Sequence, residues 1–459
     1  MQPQVITIRN PFNGSEVGEL AQATKYDIDR ALSICSEYKS ELSRSDRSKI
    51  LRHAAHALSE KIDSASDLIS SESGLSKQDS IYEIGRVIDV LTFSAIEALR
   101  DDGEVYSCDV TDHGKSRKLL TMREPLDGII FAITPFNHPI NQVAHKVAPA
   151  IAANNRVILK PSEKVPLSAL FFAQLLYDAG LPEPMLQIIV GDPDRITSIV
   201  LNSPSVKLVS FTGGVETGKR LLAAAGYRRT ILELGGNDPL IVMEDADLDL
   251  ASDLAVRGSY ANSGQRCTAV KRLLVQKSVV KKFTELVVEK TRQWEFGDPF
   301  SPTVKVGTVI NEAAAQHIQE RVNGAMLGGA RLLLGNNRCG ALYSPTVLDN
   351  VTPKMEVVMR ETFGPVTPIL TFNSIDEAIF ISNSTSYGLS AGICSNRLDW
   401  ITQFSKELNV GSVNVWEVPG FRIELTPFGG IKDSGLGHKE GVREAFKNYT
   451  NLKTLSFPW

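Results

Sequence analysis

Between Gly128 and Gly236, short runs that are apolar on both faces alternate with helical stretches, and this rhythm constrains the fold more than any other feature of the chain. The runs are Ile129 to Thr134, Val157 to Leu159, Leu186 to Val190, Leu208 to Phe211 and Thr230 to Leu234. Among the stretches between them, Leu167 to Ala179 stops at Gly180 with Pro182 beyond, which is how helices end. Strands without a polar face need cover on both sides, so the segment reads as a parallel sheet packed under helices. Ligands of such sheets lie beyond the strand C-termini, and a dinucleotide-binding fold is the leading expectation.

The rhythm resumes after Leu240, with apolar runs Leu273 to Val275 and Val366 to Leu370 and helical stretches Val279 to Thr291 and Ile375 to Ser384. A second α/β unit is therefore expected. The first hundred residues read as helices, because Ile28, Ala31, Leu32 and Cys35, then Ile50, Ala54, Leu58 and Ile62, recur at helical spacing. Glu104 to Arg123 and Asn451 to Phe457 are strand-like with no helix beside them, and are expected to pair with each other or across a subunit interface.

Charge and cysteine content narrow the function. Among 459 residues, 49 Lys and Arg stand against 53 Asp and Glu, so 49 − 53 = −4. That balance argues against nucleic acid or a membrane surface as a whole-chain partner. Cys35, Cys108, Cys267, Cys339 and Cys394 are too scattered for a disulfide framework or a zinc ribbon, and no metal is expected. The start, Met1 to Asn10, lacks the basic and apolar regions of a signal peptide, and no stretch reaches about 18 apolar residues. The expectation is a cytoplasmic protein.

Four motifs carry chemistry, and each leaves a plain structural alternative open. Phe211-Thr-Gly-Gly-Val-Glu-Thr-Gly218 puts Gly213 and Gly218 between a buried strand and a helix start, where backbone N–H groups can meet a phosphate or the chain can simply turn. Ala261-Asn-Ser-Gly-Gln-Arg-Cys-Thr268 sets Cys267 in polar company beside Arg266, whose charge favours the thiolate; a buried thiol is the alternative. Cys35, on an apolar stripe, and the other three cysteines default to packing. Glu233, ending an apolar strand before Gly235 and Gly236, would have a raised pKa suited to a general base, or would cap the turn. Lys160-Pro-Ser-Glu163 follows a strand where an adenosine ribose would lie, although loop charges are often only solvated.

Taken together and in order, these motifs resemble the NAD(P)-dependent aldehyde dehydrogenase superfamily. Thr134-Pro-Phe-Asn-His-Pro139, Lys160 to Glu163, Gly213 with Gly218, Glu233-Leu-Gly-Gly236, Gly264-Gln-Arg-Cys267, Glu361-Thr-Phe-Gly-Pro365 and Pro427-Phe-Gly-Gly430 all match its motifs, from about Asn10 to the C-terminus. The resemblance implies an α/β fold with two doubly wound domains and a small β oligomerisation segment. Residues 1–107 and 127–234 would form the dinucleotide-binding domain, 235–439 the catalytic domain, and 108–126 with 440–459 the oligomerisation strands of a homodimer or homotetramer. It also implies that Cys267 is the nucleophile, Asn137 and the Cys267 N–H hold the oxyanion, and Glu233 activates the water that hydrolyses a thioester. The cofactor would be held by Lys160, Ser162, Glu163, Phe211, Gly213, Gly214, Gly218, Leu234, Glu361 and Phe363. Glu163 would repel a 2′-phosphate, so NAD is expected over NADP, with NADP possible for the family. Gly214 departs from the Ser or Thr that many members place against the pyrophosphate.

Arg86, His138, Arg266 and Arg422, with Thr268, map to the substrate side of this family and imply an anionic aldehyde. By helical periodicity alone, Arg86 lies opposite the stripe Ile81, Ile84, Ile88 and Leu91, which is also what a solvated face looks like. The combination of these basic residues with the ending Val418-Pro-Gly-Phe-Arg-Ile-Glu-Leu-Thr-Pro-Phe-Gly-Gly-Ile-Lys-Asp-Ser-Gly-Leu-Gly437 looks most like the phosphonoacetaldehyde-oxidising branch of the family, which makes phosphonoacetate. Phosphonoformaldehyde, lactaldehyde and succinic or sulfonated semialdehydes are the alternatives. Glu233 argues for hydrolysis against transfer to coenzyme A, and the presence of Cys267, Glu233 and Asn137 argues against a non-catalytic homologue.

Overall fold

A computed structural model describes residues 4–100 and 102–458; Met1 to Pro3, at the start of the segment read for a signal peptide, and the terminal Trp459 lie outside it. The five apolar runs form one parallel sheet in the order Leu186–Ile188, Arg156–Lys160, Ile129–Ile133, Val206–Thr212 and Arg229–Glu233. Numbered along the chain this order is 3-2-1-4-5, so the topology switches sides at Ile129–Ile133. A crevice opens beyond the strand ends at such a point. The helices Asn141–Ala152 and Pro166–Asp178 cover one face and supply Val143, Val147, Phe172 and Leu176 to its core. On the other face, Ile28, Ala31 and Cys35 of the helix Lys25–Glu37 pack against Ile129 and Phe131.

The second unit is a sheet of seven strands, all parallel except Arg331–Leu334 at one edge, which pairs antiparallel with Thr346–Asp349. At its centre, Arg272–Gln276 and Pro239–Val242 lie side by side. Glu104 to Arg123 and Asn451 to Phe457 do pair with each other: Thr450–Pro458 runs antiparallel to Arg117–Pro125, and Val105–Ser107 adds a third strand. Asn155 anchors the root of that ribbon, accepting the Leu126 N–H at 2.8 Å and donating to the Tyr449 carbonyl at 2.8 Å.

Four expectations need correction. The first hundred residues are not all helical, because Val5–Arg9 and Glu16–Ala21 form an antiparallel hairpin. The 50-to-62 periodicity spans a break: one helix ends at Ser59, and Ile62 opens the next. Residues 440–459 are not all strand, since Val442–Asn448 is a helix whose Val442, Ala445 and Phe446 join the first core; Val105–Ser107, in turn, belongs to the ribbon. Cys339 is exposed on a short strand and not packed, whereas Cys35 and Cys394 are buried.

Replacing Asn155 with Ala would orphan two buried backbone groups. We expect a loss of about 2–3 kcal/mol in unfolding free energy, read by denaturant titration; a change below about 0.5 kcal/mol would show that the ribbon root does not depend on this amide.

Candidate active site

Cys267 sits where the two sheets meet, at the end of an unusual backbone path. Asn262, Ser263 and Gly264 take φ of 60°, 53° and 69°, three consecutive left-handed residues. At Gly264 there is also no room for a side chain, because a Cβ would stand 2.3 Å from the Gly364 carbonyl oxygen. Such a path costs of order 1 kcal/mol per non-glycine residue and persists only when held from outside. The holders are side-chain amides. Asn262 Nδ2 donates to the Asn137 carbonyl at 2.8 Å, Asn137 Nδ2 donates to the Gln265 carbonyl at 2.9 Å, and Gln265 Oε1 accepts from Ile310 N–H at 2.9 Å.

Burial pushes the Cys267 thiol up to about 11, against the pull of the Lys271 ammonium. Arg266, the cation expected to favour the thiolate, also faces the thiol, but Lys271 acts on it more strongly. Arg266 lies among Arg86, Tyr82 and Asp79, its Nη2 2.8 Å from where a Cβ on Gly420 would stand; Thr268 Oγ1 is 2.2 Å from the same point. Glu233 is buried with neither carboxylate oxygen hydrogen-bonded. Burial raises its carboxyl well above the ordinary value, and the neighbouring Glu440 adds to the rise. Glu440 is itself kept ionised by a buried ion pair with Lys146, against the cost of burial.

The cofactor residues fall along two cavities that share Gly213 and Gly214. Lys160, Ser162, Glu163 and Phe211 line the first, of about 620 Å³. Asn137, Cys267, Leu234, Glu361 and Phe363 line the second, of about 340 Å³. Between them the helix Val215–Ala225 begins at Gly214, which has no side chain to cap it, so the first amides stay open to an anion. Gly218 packs tightly beneath, where a Cβ would meet Leu234 at 2.5 Å. Glu163 pairs with Lys160 at 3.2 Å, and Ser162 Oγ accepts the Lys164 N–H at 3.3 Å. Phe363 stands edge-on to Phe136 at 6.0 Å, and Glu361 accepts the Gly236 N–H at 3.2 Å. Open helix amides for a pyrophosphate and carboxylates at both ends for ribose hydroxyls fit a nicotinamide dinucleotide.

The substrate-side residues divide into two groups. On the helix Lys77–Leu99 the buried face carries Glu83, Ile84, Val87 and Leu91, while Ile81 is exposed, so the expected stripe is rotated. Arg86 borders that face, and its Nε donates to the buried Glu424, which also accepts from His145 Nε2. His145, its pKa lowered by burial, donates as a neutral ring. Against the cost of burial, these partners and Arg422 hold the Glu424 carboxyl far below its ordinary range. His138 does not join a basic cluster: it is buried, its pKa is lowered by that burial, and its Nδ1 lies 3.5 Å from Glu83 Oε2. Arg266 and Arg422 remain. Neither guanidinium has an ion-pair partner among the described residues, and Arg422 stacks 3.8 Å from the Phe428 ring with its Nη1 buried and unbonded.

Sequence reasoning missed Lys271, Glu424, His145, Lys146 and Glu440. Glu424 had a signal, since Arg422 and Glu424 alternate with apolar neighbours in an extended segment. His145 and Lys146 lie on the helix Asn141–Ala152, and Lys271 and Glu440 in connecting segments, with no local mark of what they face.

A thiol, a buried unpaired carboxyl and a dinucleotide cleft at the junction of two α/β sheets define a class of covalent, nicotinamide-dependent oxidoreductase. Residues 1–455 match the profile of the aldehyde dehydrogenase family, and the chain belongs to that family: it is an NAD(P)-dependent oxidoreductase that acts on an aldehyde. It is 39% identical to a sulfoacetaldehyde dehydrogenase of Neptuniibacter caesariensis, over 97% of this chain and 98% of that one. A 3-sulfolactaldehyde dehydrogenase of Priestia aryabhattai is 36% identical over 98% and 94%. Among solved structures, an NADP-dependent glyceraldehyde-3-phosphate dehydrogenase from Bacillus halodurans complexed with NADP superposes with a TM-score of 0.96, at 35% identity, over 99% and 96% of the chains. Among the described residues, no helix is long and apolar enough to cross a membrane.

Glu424→Gln would leave Arg86 buried without its counter-ion, and we expect about 3 kcal/mol of lost stability at neutral pH. The folded carboxyl titrates below the unfolded value of about 4.3, so its stabilisation is present above that pH and is lost as pH falls through the folded value. The gap in melting temperature between wild type and variant should therefore be widest near neutrality and narrow in acid. A gap that is constant with pH would refute an ionised Glu424.

Proposed function

We propose that the chain oxidises a short aldehyde carrying a tetrahedral oxyanion to its carboxylate, through a thioester on Cys267. The observation that carries this reading is the pair of unpaired guanidinium groups, Arg266 and Arg422, close to the thiol. Arg86 adds to the positive field but is already shared with Glu424. Unpaired guanidinium groups are costly unless a substrate anion completes them, and an uncharged aldehyde would leave them orphaned.

Cys267 Sγ forms a bond to the aldehyde carbon, and the carbonyl oxygen takes up negative charge. The Asn137 side-chain amide and the Cys267 N–H, which has no acceptor among the described residues, hold that charge. Lys160, Glu163, Gly213 and Glu361 would hold NAD or NADP, which would supply the acceptor for the hydride that leaves the former aldehyde carbon as the Cys267 thioester forms. Glu233, whose carboxylate oxygens carry no other hydrogen bond, takes a proton from the water that adds to the thioester. Collapse breaks the carbon–sulfur bond and frees the thiolate. Glu163 remains the reason to favour NAD, although its pairing with Lys160 softens the repulsion of a 2′-phosphate. The apolar row of exposed Leu455 and Val105 flanking half-buried Leu120, aligned across the three-stranded ribbon, supports a homodimer or homotetramer.

Phosphonoacetaldehyde is the expected substrate from the basic residues together with the ending Val418 to Gly437. Sulfoacetaldehyde is the second reading, favoured by the 39% identical relative. Measuring kcat/KM for both, with succinic semialdehyde and acetaldehyde, separates them. We expect Arg266→Leu or Arg422→Leu to raise KM for the oxyanionic aldehyde at least ~10-fold and for acetaldehyde less than ~2-fold; equal losses would overturn the anion pocket. We also expect Glu233→Gln to release about one NADH per site and then stall, with wild-type deacylation accelerating as pH rises through the raised carboxyl value. Steady turnover at the wild-type rate in that variant would assign the base elsewhere.

A further inference from the structure

We propose that Lys271 is a positioning residue for the thiol step, aiming the Cys267 N–H into the oxyanion site and balancing the charge of the Cys267 thiolate. The proposal rests on Cys267 being the nucleophile.

Three oxygens surround the Lys271 ammonium. Nζ donates to the Arg266 carbonyl at 2.7 Å and to the Cys267 carbonyl at 2.6 Å, and lies 3.0 Å from Glu361 Oε1. An ammonium has three N–H donors, so every one has a partner. The first contact has a geometric consequence. The Arg266 carbonyl and the Cys267 N–H belong to one planar trans peptide unit and point in opposite directions. Holding that oxygen against Lys271, with the Ala269 N–H also on it at 3.2 Å, drives the Cys267 N–H the other way, and that N–H has no acceptor among the described residues. Gripping the Cys267 carbonyl as well fixes the next peptide plane, so the orientation of the residue between them is set from both sides. Asn137 and Gln265 hold the incoming chain and Lys271 holds the outgoing chain.

The charge has a separate effect. Lys271 is buried, where a full charge is weakly screened. Of the groups facing the thiol, Lys271 is the strongest that favours its ionised form; Arg422 and Arg266 are weaker cations, and Asp238 and Glu361 oppose all three. Burial pushes the Asp238 carboxyl up to about 8, so Glu361 is the main anion the ammonium meets in the resting enzyme. A lysine that only filled space would carry a desolvation cost that a methionine of similar length would not. Glu361 is also the carboxylate assigned above to the cofactor, so the same ammonium links the cofactor cleft to the thiol loop.

The test uses Lys271→Met, which removes both charge and donors, and Lys271→Gln, which refills the volume and keeps an amide donor without charge. The main readout is the pH dependence of Cys267 alkylation by iodoacetamide in the full-length protein, followed by peptide mass. We expect Lys271→Met to move the midpoint up by about one pH unit and to slow alkylation at fixed pH roughly 10-fold. Its kcat should fall ~100-fold, with KM for NAD changed by less than ~3-fold. Lys271→Gln should share the alkylation shift but keep more of kcat, because it still holds a carbonyl. A merely structural lysine would lower the melting temperature without moving the alkylation midpoint. If either variant folds and keeps the wild-type midpoint and kcat within about 2-fold, the proposal is overturned. Cys267→Ala serves as the control for the underlying reading: turnover in that variant would remove Cys267 as nucleophile, whereas an inactive Cys267→Ala beside unaltered Lys271 variants would remove only the role of Lys271.

Discussion

Two exchanged amide contacts hold the active site together. Asn137 follows a strand of the first sheet and Asn262 follows a helix of the second unit, and each donates from its side chain to the other's neighbourhood, Asn262 to the Asn137 carbonyl and Asn137 to the Gln265 carbonyl. Both residues are buried, so the contacts are shielded from competing water. Neither sheet alone presents a site. The thiol comes from one unit, the open helix amides and Glu233 from the other, and the left-handed path before Cys267 is stable only while the two are joined.

Around this joint, burial sets the protonation of each acid according to its company. Glu233, Glu440 and Glu424 are all removed from water. Glu440 has Lys146 and Glu424 has Arg86, and both stay ionised; Glu233 has no cation in contact and is driven toward the neutral form. Three carboxyls of one chemical type thus divide into two ionised partners and one neutral acid through the placement of Lys146, His145, Arg86 and Arg422.

Much of this was legible in the sequence. The double α/β architecture followed from apolar runs with no polar face, and those five runs became the five strands of the first sheet. The acid at position 233 could be assigned a raised pKa because it ends such a run. What escaped was set by distance in sequence. Glu424 and Arg86 are 338 residues apart, and Lys146 and Glu440 are 294 apart, so no local pattern announces either pair. The rotated face of the Lys77–Leu99 helix has the same origin: Glu83 is drawn inward to accept the amides of Ile140 and Asn141, and the apolar stripe turns with it. The neutral His138 follows from burial beside Arg86 and Arg266, against the pull of Glu83, which a count of basic residues could not anticipate.

The backbone before the thiol is secured through residues 137, 262 and 265, and the side chains at 266 and 268 take no part in that securing. Backbone geometry and the side chains proposed to meet the substrate are therefore set by different residues. A lineage can exchange Arg266 or Thr268 to follow a new aldehyde without rebuilding the loop that presents Cys267, so in this fold specificity is free to drift while the chemistry stays fixed.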